Sequence, residues 1–69
     1  MTQEEILHIF VEVADGRGHH GSFLRAFASA VAHADDANIR ILTPSAEVLI
    51  KKYGLEKYLD TFLGEEATA

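Results

Sequence analysis

Two features of this sequence predict an all-α fold, a compact bundle of three to five short helices. From position 23 to position 63 the apolar residues recur at intervals of three and four, the period of a helix with one face turned to a core. The residues that punctuate these runs are Thr2, Ser22, Asp35-Asp36 and Thr43-Pro44 before them and Gly54 and Gly64 after them, all types that start and stop helices. Composition agrees, since 48% hydrophobic and 25% charged residues are globular proportions. A chain of 69 residues has room for one core. The expected organisation is a single helical domain over residues 1–64 followed by a disordered tail over 65–69.

The first segment, residues 2–14, fits two periods. Ile6, Ile9, Phe10 and Val13 fall at i, i+3, i+4 and i+7, whereas Leu7, Ile9, Val11 and Val13 alternate as in a strand. Thr2-x-x-Glu5 is a capping box, in which hydroxyl and carboxylate satisfy opposite backbone N–H groups, and it favours the helix. A strand at residues 7–13 in an α+β fold is the alternative, and its open edge would demand a partner.

Asp15-Gly16-Arg17-Gly18-His19-His20-Gly21 reads as a loop, because glycines this dense make a continuing helix costly. The following segment carries Phe23, Ala26, Phe27, Ala30, Val31 and Ala34 as an unbroken stripe, with Arg25, Ser29 and His33 opposite and Ser22 placed to cap it. It is expected to be the central helix. Asp35-Asp36 ends it, since acids oppose the dipole at a helix C-terminus and suit the start of the next element. After a short turn or helix over residues 37–42, Thr43 as N-cap and Pro44 at the first helical position mark a new start. Ala46, Leu49, Ile50 and Tyr53 form its inner face, Glu47 and Lys51 are spaced as an ion pair, and Gly54 stops it. Leu55, Tyr58, Leu59, Phe62 and Leu63 repeat the pattern, and Gly64 closes it.

Charge and composition narrow the function classes. With 11 acidic against 6 basic residues the formal charge is −5, which argues against a nonspecific grip on nucleic acid and favours a protein partner. No apolar run reaches membrane length, and Met1-Thr2-Gln3-Glu4-Glu5 has acids where a signal peptide needs positive charge, so a cytoplasmic protein is expected. Small scaffolds are supported by disulfides, metals or self-association. Without cysteine the first is closed, which leaves good helix packing, a His/carboxylate site or self-association, and a homo-oligomer is expected.

Candidate sites are few. Gly16-x-Gly18-x-x-Gly21 matches the letters of the dinucleotide fingerprint, but Asp35 and Asp36 come too early for its acid and the chain is too short for the fold. A simpler anion site is conceivable at Arg17, Gly18, His19, His20, Gly21 and Ser22, where a helix N-terminus offers free N–H groups beside basic side chains. The plain alternative is a connecting loop whose glycines permit a reversal. Glu5, His8 and Glu12 share a helix face with di-iron spacing, yet that face lies opposite the apolar stripe and reads as solvated surface rather than a metal site. No cofactor is implied. Ser22, Ser29 and Ser45 lack a nucleophile elbow, so no enzyme is expected. Phe23, Phe27, Tyr53, Tyr58 and Phe62 read as core. Glu4, Glu5, Glu12, Asp35, Asp36, Glu56 and Asp60 offer an acidic surface for a basic groove on a partner.

Gly21-Ser22-Phe23-Leu24-Arg25-Ala26-Phe27-Ala28, Ala34-Asp35-Asp36-Ala37-Asn38, Ile41-Leu42-Thr43-Pro44 and Leu49-Ile50-Lys51-Lys52-Tyr53-Gly54-Leu55 together resemble a group of short proteins encoded by bacteriophages and prophages. The resemblance implies a phage accessory protein in the bacterial host cytoplasm that binds and inhibits a host protein, with a component of antiviral defence as the expected class of target. An oligomeric sponge that holds a phosphorylated nucleotide at residues 16–22 is the alternative.

Overall fold

The computed structural model describes residues 1–62, and among them every regular element is helical. Leu63, Gly64 and the expected tail lie outside the described residues. Helix α1 spans Gln3–Ala14 and begins with the capping box: Glu5 N–H donates to Thr2 Oγ1 at 3.1 Å, and Thr2 N–H donates to Glu5 Oε1 at 2.8 Å. Ile6, Ile9, Phe10 and Val13 are fully buried while Leu7 and Val11 point outward. A strand would have put Leu7, Ile9, Val11 and Val13 on one side. The helical period prevails because only it gathers Ile6, Ile9, Phe10 and Val13 onto one buried face.

After α1 the chain turns through Gly16 and a 3-10 turn, Arg17–His19, in which Gly16, Gly18 and His19 have φ of 100°, 82° and 52°. Helix α2, Ser22–His33, comes next, capped by the backbone of Gly21 with no side-chain bond, so Ser22 is not the cap. Its buried residues are Leu24, Ala28 and Val31, with Phe27 half-buried. The expected inward stripe is therefore rotated: Phe23 is 63% exposed, and Ala26 and Ala30 are also exposed. The apolar arc of α2 is wider than one neighbouring helix covers, and α1 takes the Leu24 side.

Helix α3 is a single helix, Asp36–Tyr53, capped by Asp35, whose Oδ1 accepts from Asn38 N–H at 2.9 Å. The expected start at Thr43-Pro44 does not exist, and Pro44 sits inside the helix. Ile39, Ala46 and Ile50 are all buried, and only continuous helix through residue 44 places them on one face. Pro44 removes the N–H owed to the Arg40 carbonyl, but both residues are exposed, so water can serve that oxygen. Thr43 spends its hydroxyl on the Ile39 carbonyl at 2.7 Å instead of capping. Gly54 ends α3 with φ 65° and ψ 39°, a left-handed cap. A 3-10 turn, Leu55–Tyr58, buries both of its end residues, and residues 59–62 are again helical.

The core joins α1 to one face each of α2 and α3 and to Leu55 and Tyr58, and among the described residues it holds no polar or charged residue. The central helix is α1, not α2 as the stripe suggested. It packs extensively on α2, and also on α3 and both 3-10 turns, whereas α2 and α3 share at most a marginal contact. No helix of the described residues is long and apolar enough to cross a membrane.

Candidate functional site

The loop expected to hold an anion is fastened to the far end of the chain. Arg17 donates from Nη1 to Glu12 Oε1 at 2.8 Å and from Nη2 to both carboxylate oxygens of Asp60, at 3.1 and 2.9 Å. Its guanidinium also lies 4.5 Å from the centroid of the Tyr58 ring. The hydrogen bonds from Arg17 hold the Asp60 carboxyl below its ordinary value, and those same bonds, Asp60 first, raise Arg17. His20 Nε2 is 2.8 Å from the Tyr58 hydroxyl, and Gly18 passes so close to that hydroxyl that a Cβ there would collide with it. Gly18, His19, Gly21 and Ser22 are exposed. Of the six residues, Arg17, Gly18 and His20 thus converge on Tyr58 and the C-terminal segment, while His19, Gly21 and Ser22 face solvent.

The seven acids do not form one surface. Glu5 closes the cap of α1, and the hydrogen bonds from Thr2, backbone first, lower its pKa. Asp35 caps α3, and Glu12 and Asp60 bind Arg17. Glu4 and Asp36 line a shallow depression of ≈ 170 Å³ together with Leu7 and Ile39, and Glu56 is exposed elsewhere. The face of Glu5, His8 and Glu12 is not plain solvated surface either. The His8 ring meets Phe62 at a tilt of 60° with ring centroids 5.3 Å apart, and its Nε2, 3.9 Å from Glu12 Oε1, is buried without a hydrogen bond. Among the described residues no group of three His, Asp or Glu is arranged to hold a metal ion.

A second concavity, larger than the depression beside Glu4 and Asp36, is one that sequence reasoning missed. Between α2 and α3 runs an open groove of ≈ 580 Å³ lined by Phe23, Phe27, Pro44, Ser45, Val48 and Leu49, with no charged side chain in it. Phe27 forms its floor by packing edge-on against Phe10 at 5.3 Å, which ties the groove to the core. Phe23 and Val48, 63% and 64% exposed, stand on its two sides. A residue read as core, Phe23, is thus a surface residue, and Tyr53, 40% exposed, is another. The legible signal was the width of the apolar arc on α2, together with a second apolar stripe on α3 at Ala37, Ile41, Pro44 and Val48.

No protein-family model, curated protein or solved structure matches the chain.

Proposed function

We propose that this chain is a non-enzymatic protein-binding module, an accessory protein of the bacteriophage kind that engages and inhibits a host protein, a component of antiviral defence being the class of target. The observation that carries the reading is the apolar groove between α2 and α3, whose walls expose Phe23 and Val48 to solvent. A contiguous apolar concavity costs solubility unless something docks there. Aromatic residues around a groove anchored to the core are the usual energetic centre of a protein interface. The nucleotide-holding alternative has weaker support, because both terminal nitrogens of Arg17 already serve carboxylates of the same chain.

The test is affinity capture from lysate of bacteria that carry several defence systems, with wild type beside Phe23→Asp. Because Phe23 is mostly exposed, the variant should keep its helical spectrum. One host protein retained by wild type and released by the variant supports the reading. Recovery of nothing above background, or equal recovery by both, overturns it.

A further inference from the structure

The outer face of α3 bears Ala37, Ile41, Pro44 and Val48, spaced four, three and four residues apart, the seam of a helix that pairs with another helix. All four are exposed, Ile41 by 71% and Val48 by 64%, while Ile39, Ala46 and Ile50 on the opposite side fill the core. The two ends of this seam differ in charge. Asp35 and Asp36 stand at the N-terminus of α3, and Lys51 and Lys52 in its last turn. Among the described residues neither Asp36, Lys51 nor Lys52 has an opposite charge within 4.0 Å. The Glu47 carboxylate, spaced to pair with Lys51, faces the Met1 amine instead, at 3.9 Å.

We infer that a second copy of this chain covers this face in the free protein, with α3 antiparallel to its counterpart about a two-fold axis that passes between Pro44 and Ser45. That register is selected by Ile41, Val48 and the charges at the two ends rather than by the whole stripe, since it faces Ala37 to the partner's Lys52 and Pro44 to the partner's Ser45. It sets Ile41 against the partner's Val48, and Val48 against the partner's Ile41, so the two most exposed aliphatic side chains among the described residues bury each other twice. It also brings Asp36 to the end of the partner that carries Lys51 and Lys52, at both ends of the seam. A parallel pairing would place acid against acid and lysine against lysine. Antiparallel helices also oppose their dipoles favourably. Pro44, which has no N–H to satisfy, lies at the axis, where the backbones approach most closely. The groove supplies the remaining apolar contact, with Phe23 of α2 flanking the seam. A core this small gains from such support, since chains of this length bury a modest share of their surface. The inference rests on reading the α2–α3 face as a recognition surface, and it names what occupies that surface before any host partner does.

The test is sedimentation equilibrium at low salt across a range of micromolar concentrations, with circular dichroism on each variant. Wild type is expected as a dimer. Ile41→Asp and Val48→Asp should each yield a helical monomer, because both side chains are surface residues of the single chain. Asp36→Lys alone, or Lys51→Glu with Lys52→Glu, should weaken pairing about tenfold, since each exposed pair occurs twice across the axis. Combining all three should restore pairing, a rescue that a merely misfolded variant cannot show. A monomer at every concentration, a dimer indifferent to positions 41 and 48, or charge variants without rescue overturns the inference. A monomeric wild type that still captures a host protein through Phe23 overturns the pairing and leaves the proposed function standing. A dimer that captures nothing supports the pairing and overturns the function.

Discussion

At the scale of single residues the most constrained position is Gly18. Its φ of 82° lies in the left-handed region, and the Tyr58 hydroxyl occupies the space a Cβ would need. Gly18→Ala is expected to lose about 2 kcal/mol or more from left-handed strain and displacement of the His20–Tyr58 contact, measurable by urea denaturation. Arg17 acts through charge instead. Because Arg17 lowers the folded pKa of Asp60 below its unfolded value, the pair's stability is complete above the ordinary carboxylate range. It is lost as pH falls from ~4 through the depressed value of Asp60. Glu5, lowered by Thr2, acts in the same direction. Thermal melts from neutral to acid pH should therefore show a falling midpoint, with a shallower fall in Arg17→Ala. An identical acid profile in that variant would refute the assignment. The rest of the loop's geometry was not legible from the letters, because Asp60 and Tyr58, on which the loop closes, lie 43 residues from Arg17 and 38 from His20 along the chain.

At the scale of elements, local signals and tertiary demand agree for α1 and part company at α3. Thr2 and Glu5 cap α1 as their spacing predicts, and Asp35 caps α3. Thr43-Pro44 is an equally good local start signal, yet it is overridden, since a break there would swing Ala46 and Ile50 off the face that Ile39 defines. The cost of Pro44 is the lost hydrogen bond and the crowding of its ring against the preceding turn. Pro44→Ala is therefore expected to stabilise the chain by roughly 1–3 kcal/mol at equilibrium. A destabilised variant would show that the ring serves the single chain by packing. Self-association of the same variant is a separate measurement, because Pro44 also lies on the proposed pairing seam.

At the scale of the whole molecule α1 is the keystone, the one helix that contacts every other element. Phe10 is its largest fully buried side chain and supports Phe27 beneath the groove. Phe10→Ala should cost about 3–5 kcal/mol, a large part of the roughly 5–15 kcal/mol that holds a domain together. Loss of the cooperative thermal transition is the expected readout. Retention of a near wild-type midpoint would mean that the core is organised around another residue. Truncating Phe23, on the solvent side of the same groove, should leave the midpoint nearly unchanged, so the two phenylalanines separate folding from recognition.

Helix content, the cap of α1, the stop at Gly54 and the inward set Ile6, Ile9, Phe10 and Val13 arise from neighbours within a few residues of one another, so the order of letters determined them. Whether Phe23 meets core or water depends on which part of a wide apolar arc finds a partner, and sequence periodicity carries no information about where a second helix will lie. The same holds for Arg17, whose bidentate anchor Asp60 lies 43 residues away along the chain. Tertiary structure made α1 rather than α2 the centre, and with that it left the facing sides of α2 and α3 uncovered. The groove exists because one central helix cannot bury both of them completely.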